Sequence, residues 1–211
     1  MMTDDLDPDV RAILEEAQRH GVIGRAPLAS HIAQARAFYL LVEDLLSESP
    51  RVLDLGTGGG LPGLVIAADW SGVNMTLLDG RSSRAASLSS ALTRVHLDQR
   101  VSVISERAEE TGRRPELRGS FDLVVARGFG PPAVTAECAA PLLRLGGLLV
   151  VSDPPEGGVN PRWPVEGCAQ LGLVIERTQR QPWALTVLRQ VSLCPPVYPR
   201  RTGLPLKRPL F

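Results

Sequence analysis

The sequence predicts an α/β fold: a seven-strand, mostly parallel sheet with an antiparallel edge, preceded by a short N-terminal helical cap. Three observations carry this reading. After residue 50, short apolar runs alternate with loops and helix-length segments, the rhythm of a parallel sheet covered by helices. The last two apolar runs stand close together in sequence, which suggests an antiparallel edge. Before residue 50 the apolar positions recur at helical spacing only.

The elements follow in order. Asp7-Pro8 reads as the N-cap and first residue of a helix, with Gly21 as its stop. A second helix is expected from Ser30 to about Leu46, with Ile32, Ala35, Phe38, Tyr39, Val42 and Leu45 on one face. "RVLDL" (51–55) is the first strand, and a short helix follows from Pro62. "VNMTLLD" (73–79) is the second strand, followed by a helix over about 81–95. "RVSVIS" (100–105) and "FDLVVA" (121–126) are the third and fourth. A helix around 131–143 leads into "GGLLVVS" (146–152), and "GLVIERT" (172–178) and "ALTVLRQV" (184–191) close the sheet. Residues 194–211 contain five prolines and are expected to be extended. The chain thus divides into a helical segment (1–49), a core (50–193) and a basic tail (194–211).

Composition narrows the function. At 211 residues with 44% apolar and 22% charged content, the chain reads as one ordinary globular domain. No apolar run is long enough to cross a membrane, and the acidic start "MMTDDLDPDV" does not read as a signal peptide, so a cytoplasmic setting is expected. Cys138, Cys168 and Cys194 lack metal-ligand spacing and read as free thiols, with no metal site expected. The net charge of zero is unevenly spread. Six acids against two arginines fall within residues 1–20, whereas seven basic residues and no acid run from Arg177 to the end. A basic C-terminal face raises the question of nucleic acid.

The chemistry concentrates at "LDLGTGGGLPG" (53–63). A glycine-rich turn after the first strand of such a sheet serves two ligand classes. Gly58, Gly60 and Gly63 fit the G-x-G-x-x-G of dinucleotide sites, a weak signal alone. Asp54, Gly56, Gly58 and Gly60 fit the acid-x-Gly-x-Gly-x-Gly of S-adenosylmethionine (SAM) sites. An acid just before the loop disfavours a pyrophosphate but suits a cationic sulfonium and ammonium. Asp79, at the end of the second strand, can accept ribose hydroxyls in either class, and it can also cap the segment after it. The "LLRLGGLLVV" entry (142–151) looks like the fifth strand of SAM-dependent methyltransferases and favours a Rossmann-like class I fold with SAM as cofactor.

The stretch "LDLGTGGGLPGLVIA", with "SERAEE" (105–110), "FDLVVARGF" (121–129) and "YPRRTGLPLKRPL" (198–210), resembles the RsmG (GidB) family, bacterial enzymes that methylate N7 of a guanine in 16S ribosomal RNA. The resemblance implies that Gly56 and Leu61 contact SAM through the backbone, that Ala108 and Glu109 hold the adenine, and that Arg127 lies beside the cofactor. Glu106 and Glu110 are easily confused with Glu109, and a structural ion pair is the plainer reading of Arg127. No catalytic side chain is expected, because guanine N7 carries a free lone pair and needs no base; alignment would do the work. The partner implied is ribosomal RNA or the small subunit.

Arg200, Arg201, Lys207 and Arg208 in the tail are candidates for phosphate contacts, and a solvated or strand-covering tail is the alternative. "SDPPE" (152–156) imitates a motif used on exocyclic amines but follows the fifth strand and reads as a turn. The sequence departs from the family's pattern in three places. "SHIAQAR" keeps His31 without its usual flanks, no lysine follows the fifth strand, and Gly128 stands in place of an alanine. His31 itself reads as a cap or surface residue. The departures leave open a methyltransferase of another RNA or a small molecule, or a SAM-binding protein without activity.

Overall fold

A computed structural model describes residues 6–154 and 162–211. The helices are α1 (Pro8–Arg19), α2 (Leu28–Leu40), α3 (Gly63–Asp69), α4 (Ser82–Arg94), α5 (Ala108–Thr111), α6 (Pro132–Ala139), α7 (Val165–Ala169) and α8 (Leu204–Lys207). The strands are β1 (Arg51–Leu55), β2 (Asn74–Leu78), β3 (Val101–Ile104), β4 (Phe121–Ala126), β5 (Leu143–Ser152), β6 (Leu173–Gln179) and β7 (Leu185–Gln190). They form one sheet in the order β3-β2-β1-β4-β5-β7-β6. All neighbours are parallel except β7, which runs antiparallel to both β5 and β6.

This is the expected sheet, and its order matters more than its strand count. The chain builds outward from β1 to β3 and then crosses to β4 on the other side of β1. Parallel connections that leave in opposite directions open a crevice at the carboxyl ends of β1 and β4, where ligands of such sheets bind.

Both faces of the sheet are covered, which is why its central strands are continuous apolar runs. Val52, Leu123, Val125, Leu148 and Val150 face one buried layer, completed by α1, α2, α3 and α4. Leu53, Leu55, Val124, Ala126, Leu149 and Val151 face the other, completed by α5, α6, α7 and the tail. The period of two along a strand sends neighbouring residues to opposite layers.

The N-terminal segment belongs to the first layer. Asp7 accepts hydrogen bonds from the N–H groups of Asp9 and Val10 and caps α1, as expected. Val10, Ile13 and Leu14 are buried beneath it. The second helix is shorter than the sequence suggests: α2 ends at Leu40, and a 3-10 turn over Glu43–Leu45 replaces its last turn. Arg36 on α2 donates to Asp69 of α3 at 2.7 Å and locks the two helices together.

The tail is a clamp rather than the simply extended segment expected. Arg118, after α5, donates to the carbonyls of Gly112, Cys194, Pro195 and Tyr198. Arg113 donates to the Pro199 carbonyl, and the Phe211 ring covers Gly167 of α7. Past Pro199 the chain turns through Gly203, whose φ of 79° is left-handed, into the single turn α8. Of the expected turn after β5, Asp153 and Pro154 are ordinary coil, with Asp153 accepting from Arg162, Trp163 and Thr186. Pro155 lies outside the described residues.

Arg200 is the tail's anchor. Its side chain grips the fully buried Glu137 of α6 through two nitrogens, at 2.8 and 2.6 Å, and its backbone N–H donates to the same carboxylate. Removing one partner of a buried ion pair strands the other. Arg200→Ala is therefore expected to cost about 3 kcal/mol or more in urea unfolding. Arg201→Ala, on an exposed neighbour, is expected to stay within about 0.5 kcal/mol.

Candidate functional site at the carboxyl ends of β1 and β4

The glycine loop is built downward onto a buried acid. Asp54, the penultimate residue of β1, is fully buried, and its Oδ2 accepts from the Thr57 hydroxyl at 2.7 Å and from the Gly63 N–H at 2.8 Å. These bonds fold the chain back over the strand and seat the start of α3. Gly63 has to be glycine, because a Cβ there would meet Leu77 at 2.4 Å and the Asp54 carboxylate at 2.8 Å. The loop top is tied to β2: the N–H groups of Gly56 and Thr57 both donate to the Leu78 carbonyl.

Asp54 Oδ1 is buried and accepts no hydrogen bond from the described residues. A buried carboxylate oxygen left bare needs an explanation. Burial pushes the carboxyl up to about 6, against the pull of Thr57, Gly63 and the Arg127 guanidinium, with Asp79 adding to the rise. The site beneath the loop is electrostatically unfinished and suits a cation.

Asp79 follows β2 and bridges two segments. Its Oδ2 accepts from Gly58 N–H at 2.9 Å and its Oδ1 from Arg81 N–H at 2.8 Å, so it ties the loop to the entry of α4. Gly58 has a φ of 57°, and a Cβ there would meet nothing closer than 3.9 Å. The space above it is open.

Two cavities flank this loop along the crevice. One, of about 300 Å³, is lined by Gly56, Thr57, Gly58, Gly59 and Leu61, by Val22–Gly24 from the α1–α2 loop, and by Arg84, Arg127 and Gly128. The other, of about 190 Å³, is lined by Gly80, Arg107, Ala108, Glu109, Phe129, Gly130, Pro131, Val134, Cys138 and Leu206. Phe129 divides them: its ring would lie 2.6 Å from a Cβ on Gly56, so only glycine lets the loop pass it. A third cavity, of about 340 Å³, opens behind the loop between α1 and α4.

Arg127 directly follows β4 and lines the first cavity. Burial lowers its pKa and Asp54 opposes the fall; guanidinium stays protonated regardless. Among the described residues the structural ion pair weighed for it does not form: its hydrogen-bond partner is the Nδ1 of His31, at 2.6 Å. In the second cavity, Glu109 Oε1 accepts from the tail's Gly203 N–H at 2.9 Å and from Arg107 at 3.2 Å. Burial opposes its ionisation, yet these donors outweigh it and hold the carboxyl below its ordinary range. Its neighbours are distinguishable: Glu106 is taken by Arg114 and Thr111, and Glu110 by Thr202.

The structure thus brings Gly56, Gly58, Leu61 and Arg127 to one cavity and Ala108 and Glu109 to the next, with Asp79 stitching the loop between them. Gly60 does something else. A Cβ there would meet Leu64 at 2.4 Å, so it serves packing beneath the loop and lines neither cavity. Arg200 is spent on Glu137, while Arg201, Lys207 and Arg208 are exposed. His31 corrects the expectation of a cap or surface residue: it is buried and hydrogen-bonded on both ring nitrogens. Phe129, Thr57, Arg84 and Leu206 were not expected at the site. Only Phe129 had a sequence signal, as an aromatic two residues past an arginine that ends a strand. Cys138 and Cys168 are buried free thiols, raised by burial, and Cys194 is half-buried. No cluster of metal-ligating side chains occurs among the described residues.

An acid with a bare oxygen under a glycine loop, a carboxylate at the end of β2 and a guanidinium at the end of β4 define a Rossmann-like class I methyltransferase, the class whose cofactor is S-adenosylmethionine. The O-methyltransferase from Bacillus cereus in complex with S-adenosylhomocysteine shares the fold, with a TM-score of 0.62 at 17% identity over 89% of this chain and 92% of that one. The family model described as rRNA small subunit methyltransferase G matches residues 16–152, and the chain belongs to that family. The ribosomal RNA small subunit methyltransferase G of Moorella thermoacetica is 32% identical over 187 residues, covering 85% of this chain and 77% of the relative. The protein of the same description from Synechococcus sp. (strain CC9311) is 35% identical over 170 residues, covering 76% and 66%.

Asp54 generates a prediction with a sign. Its carboxyl is raised on folding, so the ionised form costs stability above about pH 6, and the cost is relieved as pH falls from there towards the ordinary carboxylate range. Asp54→Asn keeps an oxygen for Thr57 and Gly63 and removes the charge. At pH 8 without ligand it is expected to melt several degrees higher, a gain of about 2–3 kcal/mol, and to bind SAM about tenfold more weakly or worse. Equal melting temperatures at pH 8 would show that the buried carboxylate is not strained.

Proposed function

We propose that the protein transfers the methyl group of SAM to N7 of a guanine in small-subunit ribosomal RNA. The observation that carries the choice of acceptor is the lining of the crevice beside Arg127. None of its lining residues is a carboxylate, histidine, lysine or tyrosine, the groups that serve as general bases. A hydroxyl or exocyclic amine acceptor must lose a proton as it is methylated, whereas a ring nitrogen with a free lone pair does not. The family membership supports the RNA substrate.

SAM, when bound, supplies a sulfonium-activated methyl that a lone pair can take directly, the C–S electron pair leaving on sulfur. The chain's residues bind and orient. Gly56, Gly58 and Leu61 would hold the methionine portion through the backbone, with Arg127 lining the cavity to meet its carboxylate and the buried Asp54 favouring its cationic end through the field from beneath the loop. Asp79 would accept the ribose hydroxyls, and Ala108, Glu109 and the Phe129 ring would hold the adenine. Phe129 and the α1–α2 loop limit water access, so catalysis rests on alignment of nucleophile, methyl and sulfur. Arg201, Lys207 and Arg208 would meet RNA phosphates from the exposed face of the tail; Arg200 holds that face in place.

Two measurements test this reading. Methylation of small-subunit rRNA under saturating SAM is expected to change less than about twofold between pH 7 and 9, since no base must be deprotonated; a rate rising tenfold per pH unit would point to a proton-bearing acceptor. Alanine at Arg201, Lys207 or Arg208 is expected to lower the slope of log binding constant against log salt by about 0.7 each, the single-strand value, with S-adenosylhomocysteine affinity unchanged. Slopes equal to the wild type would remove the tail from the RNA interface.

A further inference from the structure

His31 stands 96 residues from Arg127 in sequence and touches it in space. Its imidazole is buried at the start of α2, with 8% of the residue exposed. Nε2 lies 3.0 Å from the Gly24 carbonyl and Nδ1 lies 2.6 Å from Arg127 Nη2. Both partners have a single possible role. A carbonyl oxygen only accepts, so Nε2 carries the proton; a guanidinium only donates, so Nδ1 is bare. The ring is neutral, in one tautomer, and fixed at both ends.

The choice of a neutral acceptor is informative. Carboxylates hold two other arginines of the fold, Arg36 through Asp69 and Arg200 through Glu137, while Arg118 is held by four backbone carbonyls. A carboxylate on Arg127 would neutralise it. Imidazole fixes the guanidinium's direction and leaves its full charge facing the cavity. The nearby acid, Asp54, accepts from the Thr57 hydroxyl and the Gly63 N–H instead. The anchor is rigid as well: Gln18 donates to the same Gly24 carbonyl at 2.7 Å and to Ala26 at 2.8 Å, pinning the loop whose residues 22–24 line the cavity.

We propose that His31 is a positioning residue, holding Arg127 so that its guanidinium meets the α-carboxylate of SAM. The inference rests on the cofactor reading above. A long arginine side chain has many rotamers, and fixing one of them before the ligand arrives removes that ordering from the cost of binding. The carboxylate of the ligand then finds its counter-charge already in place on Arg127, which lines the cavity.

Two substitutions separate the two ends of the imidazole. His31→Asn places an amide oxygen near the position of Nδ1 and keeps an acceptor for Arg127. His31→Gln reaches towards the Gly24 carbonyl and leaves Arg127 without its acceptor. Calorimetric titration uses S-adenosylhomocysteine, which carries the amino-acid end, and 5′-methylthioadenosine, which lacks it. His31→Gln is expected to weaken the first about tenfold and leave the second within about twofold, while His31→Asn stays close to the wild type for both. Arg127→Ala should match His31→Gln, with no further loss in the double variant. Unchanged S-adenosylhomocysteine affinity in His31→Gln overturns the proposal, and so does equal weakening of both ligands. Failure of the wild type to bind S-adenosylhomocysteine overturns the cofactor reading itself, and this proposal with it.

Discussion

One buried carboxylate organises the upper end of the sheet. Asp54 draws the Thr57 hydroxyl and the Gly63 N–H onto a single oxygen, and those two bonds set the height and direction of the glycine loop. The loop's position then decides where Phe129 can lie, where the Gly58 N–H points and how α3 starts. The arrangement is bought with stability, since a charge without solvent and with one bare oxygen is disfavoured in the fold. Such strain is tolerated where a ligand relieves it. A cation placed over this loop would do so, and the cofactor of this class brings two cationic centres.

Three segments far apart in sequence close around that loop, and each arrives by a different interaction. The α1–α2 loop comes through His31 and Gln18, both converging on the Gly24 carbonyl. The crevice itself comes from strand order, with β1 and β4 adjacent and their connections diverging. The tail comes through arginines: Arg118 gathers four carbonyls, and Arg200 seizes Glu137. The tail then reaches the second cavity twice, by the Gly203 N–H on Glu109 and by Leu206 in the wall. The tail thus carries exposed basic residues on one side and touches the cavity around Glu109 on the other.

The sheet was legible in the sequence almost strand by strand, because strands buried on both faces leave long apolar runs bounded by turn residues. "FDLVVA" was placed to the residue. The glycine loop and Asp79 were legible because backbone conformation and strand ends dictate residue type there. Gly60 shows the limit of that logic: it obeys the motif, yet its reason is the Leu64 side chain beneath it. His31 and Arg200 show another. A histidine at a helix start and an arginine among prolines have the sequence appearance of surface residues. Their roles come from Arg127, 96 positions away, and Glu137, 63 positions away, and no local pattern encodes such pairings. The short helices α5, α7 and α8 escaped for a related reason, since one turn is too short to display a period.

The charge pattern of the site explains why the chemistry can proceed with so few reactive groups. An enzyme that must remove a proton keeps a titratable base beside its acceptor and tunes it. Here the one histidine near the crevice has both nitrogens committed, and the acids near the loop are bound to backbone or hydroxyl donors. What remains mobile in charge terms is almost nothing, and what remains fixed is a guanidinium in the cavity and a carboxylate buried beneath the loop. A site of that kind discriminates by geometry. Its tolerance to substitution should follow how far each side chain holds another in place, so a buried imidazole that only holds a guanidinium can matter as much as the guanidinium itself.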